Sequence, residues 1–506
     1  MNTYIINETG NQQRILKSSE ELFSTVSYFD KKLYAICVIV GLMNSFFYSN
    51  WLLMLITCVI EGISLFYMFF KNRLIDYLGL YIVYLSFSLE SGVYAGTDQF
   101  YGFKNFRILG LNLAVYLLFP LLIKLISNTY ILTKNRFVVH SKFVNRILLF
   151  SVVISIAGII SYIANDNGIK DCFGGFKVLI NNFYSMLLPA LEILIVSWVI
   201  LDNVDDIYKL KRYIFALLPS MATIFILCLA LKNYGNRGGL DSLQISEAAM
   251  LIVFSLAFLA YGTFIKMDKV IILGSSCIII FLSLLFNSSG KLIIAVVLLP
   301  VLMVYVVCKR KNKKKLLNLC FCGFILLVIA IFIVLPYLSK NSQIFTVKLE
   351  QALKLLSFSG EEWLNNMPAS PKMRITEFLN VGNEISEKPW TLVFGKGIGG
   401  TYKDNLALFD VLDEFAFSEW ELQNGLFFGV HESLNLFFLT GGLFGLIIFF
   451  DIAIRVFKNI WKSPWLIYGF IWFILFYNYH MTIGFLGIVS MCLGLIELEE
   501  NEVFIL

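Results

Sequence analysis

From Leu33 to Leu498 one feature repeats along the chain: apolar runs of about 17 to 25 residues, separated by short polar breaks. Each run is long enough to cross about 30 Å of hydrocarbon as a helix. Inside hydrocarbon a segment must pair its own backbone amides, so spanning helices are the expected form. Hydrophobic residues make up 58% of the 506 positions, more than a soluble core of this size could cover. The expected fold class is therefore an all-α polytopic membrane protein. The first thirty residues are polar and lack a basic segment leading into a short apolar one, so no secretory signal is expected and the first span serves for insertion.

Reading apolar runs against basic clusters predicts spans at 33–48, 51–70, 74–89, 107–127, 147–164, 178–201, 213–231, 245–265, 270–286, 292–308, 316–338, 434–450, 465–479 and 482–496. That is about 14, within a range of about 12 to 14. Lys31 and Lys32, Lys71 and Arg73, the 134–146 loop, 209–212, Lys266 and Lys269, the KRKNKKK run at 309–315, and Arg455, Lys458 and Lys462 then all fall on one side, as cytoplasmic loops should. Residues 1–32 and 499–506 become cytoplasmic ends around spans 33–338 and 431–498. Residues 339–430 form one large extracytoplasmic loop, with short helices and the turn-rich GKGIGG at 395–400.

The net charge of +5 lies in these short loops rather than in a basic patch with interleaved aromatics, so nucleic acid is not an expected partner. Most of the nine cysteines lie in apolar runs, which argues against a disulfide framework or a zinc ribbon. No metal or cofactor is expected: Asp410, Asp413, Glu414, Glu419 and Glu421 lack a metal-ligand spacing and read as a solvated face.

Four segments hold residues suited to chemistry. In GVHESLNLFFLTGGLFG, residues 429–445, His431 is one of three histidines in the chain and stands beside Glu432, with Asn435 one helical turn on. A carboxylate neighbour can orient an imidazole and raise its basicity, which suits a general base; a plain helix cap with Glu in the first turn fits the same residues. Gly441 and Gly445 read as a close-packing pair. Arg237, in NYGNRGGLDSLQISEAAM, is an always-charged fork suited to a phosphate or diphosphate, or to lipid headgroups. Lys291 ends the turn NSSGK, and Arg374 opens a helix-like segment that leads through an apolar strand-like piece to GKGIGG, a weak phosphate-cradle signal. Glu61 and Glu192 lie inside predicted spans, where a carboxylate is expensive and marks an ion path or a buried pair.

Taken in chain order, the segments NRGGLDSLQISEAAM, NSSGK, Arg374 to LVFGKGIGG, and HESLNLFFLTGGLFG resemble the O-antigen polymerase and O-antigen ligase superfamily of bacterial surface-polysaccharide membrane proteins, over roughly residues 230–450. Two positions depart from the family pattern. Its His-Asn pair reads His431-Glu432 here, with the asparagine at Asn435, and its short-turn arginine is Lys291. The resemblance implies a GT-C-like glycosyltransferase of the bacterial inner membrane, metal-independent and facing the periplasm or cell exterior. Donor and acceptor would be undecaprenyl-diphosphate-linked oligosaccharides, among membrane lipids, with chain-length regulator and flippase proteins as partners. His431, helped or replaced by Glu432, would be the base, while Arg237 and Arg374, with Lys291 and Asn435, would hold the diphosphate. A polymerase of O-antigen or capsule repeat units is the first expectation. A ligase transferring glycan to lipid A core is the alternative within the family, and a lipid-linked oligosaccharide flippase or ion-coupled transporter is the alternative from another class.

Overall fold

The computed structural model describes residues 29–47, 50–87, 107–108, 111–132, 142–164, 187–203, 206–232, 235–237, 240–242, 266–286, 369–407, 417–476 and 487–496, with isolated positions between them. Among these residues the chain is mostly helical. Its elements are α1 (Lys31–Phe46), α2 (Trp51–Phe70), α3 (Leu74–Phe87), β1 (Arg107–Ile108), β2 (Leu111–Asn112), α4 (Leu113–Tyr116), α5 (Phe119–Leu132), α6 (Lys142–Ile163), α7 (Leu188–Asp202) and α8 (Ile207–Ala230). They continue with β3 (Gly235–Arg237), β4 (Leu240–Ser242), α9 (Lys266–Phe286), α10 (Ala369–Ser386), α11 (Pro389–Phe394), α12 (Glu419–Asn424), α13 (Ser433–Asn459), α14 (Pro464–Phe476) and α15 (Gly487–Ile496).

Four helical stretches, Trp51–Phe70, Asn145–Ile163, Tyr208–Ala230 and Ser433–Asn459, are long and apolar enough to cross a membrane, and several shorter apolar helices accompany them. This is the build of an all-α membrane protein. Helix α2 shows how such a span is made. Asn50 caps it by accepting the amides of Leu52 and Leu53 at 3.0 and 3.2 Å. Met54, Thr57, Cys58, Glu61 and Leu65, at three- and four-residue spacing, form its buried face, while Leu52, Ile56, Ile63 and Phe70 are exposed for lipid.

The structure departs from the sequence expectation in three places. Residues 107–127 are not one span: β1 and β2 form an antiparallel hairpin, α4 is a single turn, and α5 begins at Phe119 just before Pro120, which lacks the amide that would continue a helix through it. The apolar piece before GKGIGG is helical, not extended, because Pro389 sits in the first turn of α11, where its missing amide costs nothing. Glu421 is not part of a solvated face. Its buried carboxylate accepts the amides of Ser418, Phe428 and Gly429, each at 2.9 Å, fixing the turn that leads to α13. The predicted spans at 245–265 and 316–338 and most of 292–308 lie outside the described residues, as do Asp410, Asp413, Glu414 and the turn around His480.

The glycine run is the structural key to the second half. Helix α13 kinks at Gly442, whose φ of 58° and ψ of −145° only glycine adopts readily. The kink frees carbonyls from the helical ladder, and the run takes them up: the amide of Lys396 donates to Leu439 O and that of Gly397 to Thr440 O, both at 2.9 Å. The next amide, of Ile398, donates to Ile154 O of α6, also at 2.9 Å. Gly397 lies against Gly158: a Cβ on Gly397 would overlap the Gly158 backbone, and one on Gly158 would overlap the backbone of Ile398. Ile154 and Gly442 each lie nine residues in from the nearer end of their helices, so the loop dips roughly 14 Å along both. Irregular backbone at that depth is tolerated because protein encloses it and the carbonyls of Leu439 and Thr440 find amides in the loop.

Candidate functional site

Helix α10 lies along the first turns of α13, with Phe378 stacked on Phe438 at 5.0 Å between ring centres. Arg374 and Glu377, three residues apart on α10, share the face turned toward this contact. Across it, the chain reaches α13 in extended form: Glu432 holds the N-cap position with φ −134° and ψ 145°, and the helix starts at Ser433. His431 therefore stands before the helix, and Glu432, expected in its first turn, holds the position just before that turn.

Glu377 is the centre of the arrangement, and its side chain is fully buried. One carboxylate oxygen, Oε1, meets His431 Nδ1; the other, Oε2, accepts the His431 backbone amide at 3.0 Å and Asn435 Nδ2 at 3.1 Å. Asn435 Nδ2 also donates to the carbonyl of Arg374 at 2.9 Å, which ties α10 to α13. Next to this pair runs a second one: Arg374 Nε lies 2.5 Å from Glu432 Oε1, off the N–H axis, so the contact is ionic rather than a straight hydrogen bond. His431, Arg374 and Glu432 keep part of their surface open, and the edge of Phe417 packs on the imidazole at 6.0 Å between ring centres.

The sequence expectation that Glu432 orients His431 is thus corrected. Adjacent residues in extended chain point apart, so Glu432 turns to Arg374 and the distant Glu377 takes the imidazole. Because Nδ1 faces that carboxylate, Nε2 is the nitrogen left for an incoming group. Burial pulls the imidazole pKa down, but the hydrogen bond and charge of Glu377, with the charge of Glu421, outweigh burial and the opposing Arg374 cation and raise it above its usual value. The stabilisation from the pair is fully present below the ordinary histidine value and is lost as pH rises through the raised one.

The other expected groups stand apart from this cluster or outside the description. Arg237 lies in the β3–β4 hairpin, where its backbone pairs with Leu240; its side chain lies outside what is described, and so does Lys291. The glycine run does not cradle a phosphate with its amides at 396–398, since all three are spent on helix carbonyls. Its lysine is also engaged: Lys396 Nζ contacts Glu384 Oε1 at 2.5 Å and donates to Thr401 O at 2.9 Å, while Asn405 Nδ2 reaches Glu384 Oε2 at 3.1 Å. Removing one member leaves a buried charge unpaired, so Lys396→Met should cost about 3–5 kcal/mol in thermal unfolding. Adding Glu384→Gln should restore much of the loss, and an additive double variant would count against the pair.

Sequence reasoning missed Glu377 and Glu384. The available signal was Arg374-x-x-Glu377, one face of one helix, in the loop that precedes His431. No protein-family model matches the chain, and no curated protein matches it. The functional reading rests on the cluster's chemistry.

Proposed function

We propose that the protein joins undecaprenyl-diphosphate-linked oligosaccharide repeat units into an O-antigen- or capsule-type polysaccharide at the outer face of a bacterial inner membrane. The observation that carries this reading is the buried Glu377 fixing His431 by Nδ1 while Arg374 stands beside it against the Glu432 carboxylate. A positioned base and a neighbouring cation at the head of an apolar helix are what glycosyl transfer from a lipid diphosphate needs.

In this mechanism an acceptor hydroxyl attacks the anomeric carbon of the donor. Its proton passes to Nε2 of His431 as the new C–O bond forms. The bond from the anomeric carbon to the diphosphate breaks, and its electron pair leaves on the phosphate oxygen. Arg374 meets that growing charge, releasing Glu432 as it turns from one anion to the other; Arg237 and Lys291 complete the clamp. Glu432 is thus the resident counter-ion of Arg374, and Asn435 holds the two helices in register.

Two binding measurements test the exchange. Arg374→Gln should weaken binding of the lipid diphosphate by about 10- to 100-fold, the worth of a charged hydrogen bond or two. Glu432→Gln, which removes the competing anion, should tighten it. Unchanged affinity in both variants would remove Arg374 from the clamp. Polymerase and ligase share this chemistry, and the glycans of a deletion strain separate them: loss of a polymerase leaves a single repeat on its acceptor, whereas loss of a ligase leaves polymer on the lipid carrier.

A further inference from the structure

On a different helix, Glu61 lies near the middle of the candidate span α2 and is 2% exposed. Asn44 of α1, 1% exposed, donates from Nδ2 to Glu61 Oε1 at 2.8 Å and to Val40 O at 3.1 Å. Two buried oxygens of this pair are left without a hydrogen-bond partner among the described residues: Asn44 Oδ1 and Glu61 Oε2. Both are acceptors when the carboxylate is ionised, and two acceptors cannot satisfy each other. One proton on Oε2 changes this, because a carboxylic acid and a carboxamide are complementary and close a ring of two hydrogen bonds.

We propose that Glu61 is a proton-binding site in the membrane interior, its bound proton donated from Oε2 to Asn44 Oδ1 so that an acid–amide pair joins α1 to α2. The surroundings agree. Among the described residues, the titratable groups facing Glu61 are Cys58 on its own helix and Tyr84 from α3, with Cys37 of α1 beside Tyr84. None of these is a cation. The Tyr84 hydroxyl is engaged with Ser64 Oγ at 2.5 Å, and Ser64 in turn donates to the backbone carbonyl of Glu61, so neither supplies the missing donor to the carboxyl. A metal cation finds few oxygens here, one of which already accepts the Asn44 amide, whereas a proton needs only the two that are left. Losing the proton puts an unpaired charge in a low-dielectric interior and breaks one arm of the ring. The α1–α2 contact is then locked only in the protonated state.

Infrared spectroscopy of the full chain in lipid nanodiscs at neutral pH tests this directly. The wild type should show a protonated-carboxyl carbonyl band that shifts in heavy water, and Glu61→Gln should remove part of it while leaving the unfolding midpoint nearly unchanged. The glutamine keeps both arms of the ring: its carbonyl accepts from Asn44 Nδ2 and its amide donates to Oδ1. Glu61→Leu should lose the same part of the band and unfold at lower temperature. Asn44→Leu should move the Glu61 band to higher frequency, as its acid loses its partner. Superposable spectra of wild type and Glu61→Gln would overturn the proposal by showing Glu61 ionised. A band abolished by sodium would overturn it in favour of a cation site, and an unshifted band in Asn44→Leu would overturn the acid–amide pairing.

Discussion

His431→Ala is expected to slow chain growth by about 10²- to 10⁴-fold, the usual contribution of a positioned base, and to leave single-repeat glycans in cells. The effect should be on turnover, because the imidazole sits beside the cation that binds donor and not between them. A base works only when neutral. With its pKa raised, His431 should keep the wild-type enzyme inactive to a higher pH than an ordinary histidine would. Glu377→Gln removes the larger of the two charges that raise it and leaves burial and Arg374, which lower the value, opposed only by the lesser pull of Glu421. The acid limb of the pH–rate profile should therefore move to lower pH, with turnover reduced because the ring loses its orientation. Long chains of normal distribution made by well-expressed His431→Ala would remove the residue from the mechanism. An unmoved acid limb in Glu377→Gln would mean that another group sets the profile.

The second large effect is expected at a glycine with no chemical role. At Gly397 φ is +66° and a side chain would overlap Gly158, so Gly397→Val must force the loop out from between α6 and α13. The amides of Lys396 and Gly397 would then leave Leu439 O and Thr440 O without partners in an apolar surround, each worth about 1–3 kcal/mol, and the Ile398 bond to Ile154 O would be lost with them. A destabilisation above about 4 kcal/mol is the expected sum, seen as loss of monodisperse protein on extraction or a sharp fall in melting temperature. A variant with wild-type melting would mean that the loop does not seat at this depth.

Much of the helical scaffold could be read from the sequence, because the need to pair backbone in hydrocarbon leaves few alternatives. Trp51–Phe70 coincides with its predicted span, and the start of α13 falls within a residue of its own. The two misread backbone segments share a cause. Pro120 and Pro389 redirect the chain by local backbone rules that a hydropathy window averages away. The candidate site was half legible: His431, Glu432, Arg374 and Asn435 do gather in one place, but the pairing inside the group was not predictable from adjacency. Glu377 joins His431 from 54 positions away, and only the packing of α10 on α13 creates that contact. The glycine run looked like a ligand cradle because glycine serves any close backbone approach, and here the approaching backbone is the protein's own.

The most direct test is to reconstitute the purified protein in liposomes with purified undecaprenyl-diphosphate-linked repeat units and follow chain length. Growth of lipid-linked oligomers without nucleotide sugar, released lipid diphosphate in step with each bond, and loss of both in His431→Ala are the predicted result. Folded protein that leaves the repeat units at their starting length, or that only moves them across the bilayer, would contradict it.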